Sequence, residues 1–317
     1  MTSPNPPKVA VLAGGVGAAK LLQGMVRAVP APQVTAVVNT ADDLVLHGLH
    51  ISPDLDTITY TLADMVNPDT GWGLRGETWQ AMEVLDRYGT PTWFRLGDRD
   101  LGTHLHRSGR LAAGAGLAEV TAEIANSWGL EATILPMTEE PVATMVTLND
   151  GSEVDFQDYF VRLRHSVPIQ SIRFVGAEDA RSGPGVHDAL SDASTVVIAP
   201  SNPIVSIGPL LAVADIAEAL TTRRTDVVAV SPIVNGSALK GPADRMLREL
   251  GHEPSVVGVA RIYRDVAATL VIDQADADLA DQVVAEGLAC VVTDTVMTNF
   301  DVATNLCRTI LDVGDSR

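Results

Sequence analysis

The feature that most restricts this chain is a rhythm of short, wholly apolar runs, each closed by a glycine-rich or polar turn and followed by helical spacing. From residue 8 to 13 the chain reads Lys-Val-Ala-Val-Leu-Ala and runs into Gly14-Gly15. Between 18 and 29, Leu21, Leu22, Met25 and Val26 recur on one helical face. Val34 to Val38 is a second apolar run, ending at Asn39. Two strands joined by one helix of this length imply a parallel pair with a right-handed crossover. The rhythm returns with strands at Thr195–Ala199 and Asp226–Val230, and helical patterns follow at about 207–221 and 238–251. Leu270–Ile272 and Cys290–Val292 read as further strands, and a last helix runs from about Val302 to Leu311.

Strands alternating with helices predict an α/β fold: a Rossmann-like, mostly parallel sheet with helices on both faces. The middle of the chain breaks the rhythm. Residues 57–130 read as mainly helical, with tryptophans at 72, 79, 93 and 128. Residues 132–175 read as shorter strands, with Ala143–Leu148, a hairpin turn at Asp150-Gly151, then Val154–Phe160. The expected organisation is one α/β domain over 1–317 with a small inserted α+β subdomain at about 132–185.

Composition narrows the class. Hydrophobic residues make up 46%, enough to fill a core for 317 residues. A formal net charge of -18 argues against nucleic acid or an anionic membrane as partner, because both need a basic face. It leaves room for a phosphorylated small molecule held by a few backbone amides, a basic side chain and a metal ion. The two cysteines, Cys290 and Cys307, read as small buried hydrophobes in a reducing compartment, and no Cys/His spacing suggests zinc. The N-terminal Met-Thr-Ser-Pro-Asn-Pro-Pro-Lys has no charged-then-apolar leader pattern, and no apolar run approaches membrane-spanning length. A cytoplasmic location is expected, and a homodimer is compatible with the sequence.

Six segments carry candidate chemistry. Ala13-Gly14-Gly15-Val16-Gly17-Ala18-Ala19-Lys20 lies where a strand turns into a helix, so its amides can face a phosphate. It departs from the dinucleotide fingerprint, because Lys20 stands where a third glycine belongs, and from the P-loop, because Ala19 and Leu21 flank that lysine. The plain alternative is a tight turn closing the first βα unit. Asn39-Thr40-Ala41-Asp42-Asp43 lies past the carboxyl end of strand two, where adjacent acids can hold Mg²⁺ or a ribose, or cap a turn. Ile51-Ser52-Pro53-Asp54-Leu55-Asp56-Thr57 frames a helix start; Asp43, Asp54 and Asp56 together can supply hard oxygen ligands for Mg²⁺. Leu96-Gly97-Asp98-Arg99-Asp100 offers an arginine for bidentate grip on an anion, against a surface ion-pair network. His104 and His106, just beyond, receive no role. Two polar loops follow later strands, one with Ser201, Asn202 and Ser206, the other running from Ser231 to Lys240 and Asp244, and together they read as a ligand rim.

These segments, in this order over almost the whole chain, resemble the 2-phospho-L-lactate transferase family. The most specific are Ile-Ser-Pro-Asp-Leu-Asp-Thr around Asp54 and Pro-Ser-Asn-Pro-Ile-Val-Ser-Ile-Gly-Pro around Ser201. The resemblance implies Mg²⁺-dependent transfer of a phosphate-linked three-carbon acid, lactate or enolpyruvate, in coenzyme F-420 biosynthesis. The donor would be a guanosine diphosphate ester, the acceptor the ribityl hydroxyl of the deazaflavin Fo, and the leaving group GMP. On that reading Asp43 and Asp54 hold the metal, with Asp56 in reserve. Gly14, Gly15, Gly17, Asn39, Ser201, Asn202, Ser206 and Ser231 contact the nucleotide. Asp54 and Arg99 serve Fo, and Asp54, Asp56 and Arg99 are the candidate catalytic residues. Trp72 reads either as a stacking partner for the deazaflavin or, more plainly, as a core tryptophan.

Two rivals share parts of the pattern. Gluconeogenesis-factor relatives, which bind nucleotide sugars, share the glycine loop and the Asn-Thr-Asp-Asp type of segment; the Asp54 and Arg99 segments favour the transferase. A nicotinamide dehydrogenase would want the third glycine and an acid at the end of strand two.

Overall fold

A computed structural model describes residues 8–315. The N-terminal stretch read above, apart from Lys8, lies outside the described residues. Seven strands form the central sheet: β1 (Val9–Ala13), β2 (Val34–Val38), β3 (Thr133–Pro136), β4 (Thr195–Ile198), β5 (Val227–Val230), β6 (Thr269–Asp273) and β7 (Ala289–Thr293). Their spatial order is β7-β6-β5-β4-β1-β2-β3, with every neighbouring pair parallel. The chain thus winds outward from β1 in one direction and then from β4 in the other, and the reversal leaves a crevice outside the carboxyl ends of β1 and β4.

The apolar runs of the inner strands are continuous because both faces of the sheet are covered there. β1 sends Ala10 and Leu12 to one face, and Val9, Val11 and Ala13 to the other. On the second face it meets Leu21, Leu22 and Met25 of helix α1 (Gly15–Ala28), together with Leu306, Cys307 and Ile310 of the C-terminal helix Phe300–Asp315. Helix α2 (Pro53–Leu62) adds Leu55 and Ile58 to the same layer. Gly24 lets α1 and the C-terminal helix approach closely, since a Cβ there would stand 2.5 Å from the Ala303 carbonyl oxygen.

The segment expected as an insertion divides. Thr133–Pro136 pairs with β2 and is the edge strand of the main sheet, so the separate layer begins later. Ala143–Leu148, Glu153–Asp155 and Ile169–Val175 form an antiparallel sheet with the first of these in the middle, turning at Gly151 with φ +82°. The strand expected at Val154–Phe160 stops at Asp155. There a wide helical turn, Asp158–Arg162, takes over because Asp155 Oδ1 accepts the Asp158 amide at 2.7 Å and Phe156 stacks on Phe160 one turn on, 5.3 Å between centroids. This layer buttresses the loop after β2: Thr144 N donates to Ala41 O at 2.8 Å, and Gln157 Nε2 donates to Asp42 O at 2.9 Å.

Two predicted helices are shorter than their spacing suggested. The 207–221 pattern splits into Gly208–Ala212 and Ala214–Thr222 around an extended Val213. The 238–251 pattern becomes Ala243–Glu249, because Ser237–Ala238 pairs with Ile233–Val234 in a small hairpin and Gly241-Pro242 interrupts helical winding. Among the described residues, no helix is long and apolar enough to cross a membrane.

Candidate active site at the reversal of strand order

The glycine loop is shaped by two different demands. Gly15 adopts φ +70°, which costs a residue with a side chain, whereas Gly14 and Gly17 are required for space. A Cβ on Gly14 would lie 2.8 Å from Ser206 Cβ and 2.9 Å from Asp54 Oδ2; one on Gly17 would lie 2.4 Å from the Pro200 carbonyl oxygen. Ser201 Oγ donates to the Gly14 carbonyl at 2.8 Å. The loops after β1 and β4 are therefore packed edge to edge at the reversal point. The positive end of the α1 dipole opens beside them, a setting that favours an anion. Lys20 is exposed on α1.

An acidic group faces that helix start. Asp54 Oδ1 accepts the Gly15 amide at 2.9 Å, and Asp54 Oδ2 accepts Asn39 Nδ2 at 3.1 Å. The same Asn39 amide donates to Asp42 Oδ2 at 2.9 Å, while Asn39 Oδ1 accepts the Ala41 amide at 3.0 Å, which fixes the amide's orientation. Asp43 Oδ2 accepts Ser52 Oγ at 2.6 Å and lies 3.0 Å from His50 Nε2. Burial pushes all three carboxyls up from their ordinary range. For Asp42 the shift is large and the neighbouring Asp54 charge adds to it; for Asp43 the hydrogen bond and charge of His50 oppose it. Asp54 is pushed to about 6 by burial, against the hydrogen bonds from Asn39 and Gly15. Asp42 Oδ1 and Asp43 Oδ1 are buried and complete no hydrogen bond; Thr144 stands beside Asp42 but its hydroxyl is likewise unsatisfied.

Asp56 is not part of this group, contrary to the sequence expectation that it stands in reserve there. Two positions along a helix are about 200° apart, so Asp54 and Asp56 leave α2 in opposite directions. Asp56 is gripped by Arg107 through both guanidinium nitrogens, at 3.1 Å from Nη1 and closer from Nη2, with Arg107 almost fully enclosed at 1% exposure. His104 is buried in the same cluster, 3.2 Å from Asp100 Oδ2, and Tyr60 donates to Asp100 Oδ1 at 2.6 Å. Asp56, Asp100 and His104 have metal-ligand spacing, but the guanidinium already neutralises Asp56. His106 is on the surface, 3.2 Å from Glu123.

Arg99 is exposed at the start of helix α3 (Asp100–Ala112). Its segment is no Asp-Arg-Asp ion-pair network. Asp98 accepts the Gln80 and Ala81 amides at 2.9 and 3.0 Å, Asp100 turns inward, and Arg99 Nη1 donates to the Arg75 carbonyl at 2.7 Å. Glu77 bridges the Arg99 and Asp100 amides at 2.8 Å each. Next to Arg75 lies an open cavity of about 520 Å³, lined by Asn67, Glu77 and Trp79 among others. Trp72 is 51% exposed at the tip of the neighbouring loop, not in the core.

The remaining nucleotide candidates divide. Ser206 abuts Gly14, and Asn202 Oδ1 accepts the Ile204 amide at 2.9 Å, shaping the loop from within. Ser231 is buried and its hydroxyl is occupied by its own loop, donating to Ile233 O at 3.0 Å and accepting from Ile233 N at 3.1 Å.

A family model described as 2-phospho-L-lactate transferase CofD matches residues 9–310. The chain belongs to this family. Among curated relatives, a phosphoenolpyruvate transferase of Streptomyces griseus is 40% identical over 313 residues, spanning 97% of this chain and 98% of the relative. One from Mycolicibacterium smegmatis is 40% identical over 321 residues, spanning 96% and 98%. A solved structure of a UPF0052 family member from Bacillus halodurans aligns with a TM-score of 0.61 at 16% identity, over 96% of this chain and 99% of that one, a likeness of fold. Membership of the CofD family makes the chain an enzyme of transferase type.

Two participants were not singled out by sequence reasoning. Asp42, read only as half of an acidic pair, is the most strongly perturbed acid at the site. The antiparallel layer, read as a separate subdomain, holds the backbone of that acid in place through Gln157. The first was adjacent to a named residue; the second depends on a contact between residues 115 positions apart, for which local pattern gives no signal.

Proposed function

We propose that this enzyme transfers a phosphate-linked three-carbon acid from its guanosine diphosphate ester to the ribityl hydroxyl of the deazaflavin Fo, releasing GMP. Enolpyruvate is the favoured acid, because relatives 40% identical over nearly the whole chain are named phosphoenolpyruvate transferases. The observation that carries the reading is the meeting of Asp42, Asp43 and Asp54 with the N-terminus of α1 at the reversal of strand order.

Three desolvated carboxylates with two orphaned buried oxygens fit a hard divalent ion with oxygen ligands such as Mg²⁺. Asp43 and Asp54 would hold it, with Asp42 Oδ1 alongside. Bound there, Mg²⁺ supplies charge neutralisation for a diphosphate. The chain's own groups do the rest. The amides at the start of α1 receive the phosphate oxygens, and the Ser201 and Ser206 loop walls the crevice. In the transfer, the ribityl oxygen bonds to the β-phosphorus as the bond from that phosphorus to the bridging oxygen breaks. GMP leaves with the electron pair, and the ribityl proton passes to a carboxylate of the acidic group. Such chemistry asks chiefly for positioning and electrostatic stabilisation. Arg99, with the cavity beside Arg75, is the proposed acceptor side.

The test is mass spectrometry of the products formed from Fo and each GDP-linked acid, with and without EDTA. A Fo phosphodiester carrying the three-carbon acid, lost in EDTA, is the expected result. Absence of any Fo adduct with every donor would overturn the reading.

A further inference from the structure

The loop between α2 and the helix Gln80–Arg87 arches over the crevice. Its base is laced by backbone hydrogen bonds from Asn67 N to Gly73 O at 2.9 Å and from Arg75 N to Met65 O at 2.8 Å. Its tip, Thr70 to Trp72, rests on the phosphate loop: a Cβ on Gly71 would lie 3.1 Å from Cγ1 of Val16, the second residue of α1. The same point would lie 3.3 Å from Nζ of Lys240, which arrives from the hairpin after β5. Lys240 Nζ also stands 3.5 Å from the Thr70 carbonyl, at the outer limit of a hydrogen bond. Three rims of the crevice thus meet at Val16, Gly71 and Lys240.

The charge on Lys240 is otherwise unanswered. The chain has 40 carboxylate side chains and three lysines, Lys8, Lys20 and Lys240. Lys8 pairs with Asp192 at 3.0 Å, at the opposite end of β1. Among the described residues, Lys240 makes no ion pair, and its one neutral contact is long and exposed. An ammonium on a flexible stem, held loosely beside the positive end of α1 in a strongly acidic protein, is placed to exchange a weak carbonyl contact for an anion. We infer that Lys240 is a ligand-binding residue for the terminal phosphate of the nucleotide, swinging from Thr70 onto the β-phosphate and bringing the Thr70–Trp72 tip with it. This rests on the nucleotide reading of the crevice given above. It adds a cation from the β5 side that does not touch the acidic group.

Calorimetry with GDP and GMP on Lys240→Ala, Lys240→Gln, Lys240→Arg and Lys8→Ala separates the alternatives. GDP affinity should fall about 10- to 50-fold in the alanine and glutamine variants, as expected for losing one charged hydrogen bond. GMP, which lacks the β-phosphate, should change less than about twofold. Lys240→Arg should retain most of the affinity, and Lys8→Ala, with the same change of net charge, all of it. Lys240→Gln keeps an amide donor for the Thr70 carbonyl, so wild-type GDP binding in that variant would reduce Lys240 to a neutral latch and overturn the inference. Equal losses for GDP and GMP would overturn it too. If neither nucleotide bound the wild-type protein, the reading of the crevice itself would fail, a result distinct from both.

Discussion

Replacing Asp54 by asparagine removes one negative charge from the acidic group while keeping the side chain's shape, and two opposing terms set the effect on stability. The carboxyl is raised from 3.8 to about 6 by the fold. At about 1.4 kcal/mol per unit, ionising it at neutral pH costs the native state up to about 3 kcal/mol, and about half that after discount for its partial exposure. The sign follows from linkage: the folded protein binds the proton more tightly than the unfolded chain, so the cost is absent below about pH 4, grows between 4 and 6 and is complete above 6. Asparagine removes this cost. It also presents an NH₂ to one of two fixed donors, the Gly15 amide at 2.9 Å or the Asn39 amide at 3.1 Å. Neither can turn, because one is backbone and the other is locked by Ala41 and Asp42. A buried donor left facing a donor costs about 1–3 kcal/mol, so the two terms nearly cancel.

The variant should therefore melt within a few degrees of wild type without metal, at about 2–4 °C per kcal/mol. Adding Mg²⁺ separates them. A cation at a hundredfold excess over its dissociation constant stabilises a protein that binds it only when folded by about 2.7 kcal/mol, or roughly 5–10 °C. Wild type should show that shift and Asp54→Asn should not, with turnover of Fo lost in parallel. Thermal melts with and without Mg²⁺ and product mass spectrometry read both. An undiminished Mg²⁺ shift in the variant would falsify the placement of the cation at Asp54. A metal-free loss of stability above about 4 kcal/mol would make the residue structural instead.

Gly15→Val forces a β-branched residue into φ +70° where phosphate oxygens are to approach, so GDP affinity by calorimetry should fall at least tenfold; unchanged affinity would move the nucleotide elsewhere. Arg99→Ala should lower kcat/KM for Fo by about 1–3 kcal/mol, as for loss of one charged contact, and leave GDP binding intact; the reverse pattern would make Arg99 a diphosphate clamp. Arg107→Met strands the buried Asp56 charge and should cost about 3–5 kcal/mol in urea unfolding, while Arg107→Met with Asp56→Leu should recover most of it; no recovery would mean that the pair's packing, not its charge, is what the fold requires.

The fold was legible in the sequence wherever one local rule decided the outcome. The inner strands β1, β2, β4, β5 and β6 are covered on both faces, so each announced itself as an apolar run, and the glycine loop fell where the first run ended. Legibility failed where a longer-range contact overrode local pattern. Thr133–Pro136 read as part of an insertion because nothing local distinguishes a four-residue edge strand that pairs with β2 from one that pairs within an antiparallel hairpin. Val154–Gln157 alternates like a strand, yet the Asp155 side chain caps a helical turn that this alternation does not announce.

At the site the same division falls within a single helix. Asp54 and Asp56 are equivalent by composition and sit in one motif, and only their angular separation on α2 and the presence of Arg107 tell them apart. Arg107 lies 51 residues away in sequence and carries no motif of its own, so the neutralised aspartate could not be recognised before the fold was known. The division has a chemical consequence. Helix α2 is pinned to α3 by a pair whose charges cancel, and it presents to the crevice the neighbour whose charge does not. Separating anchorage from charge in this way lets the acidic group remain electrostatically unsatisfied, a state that a cation relieves, without α2 losing its hold on the core.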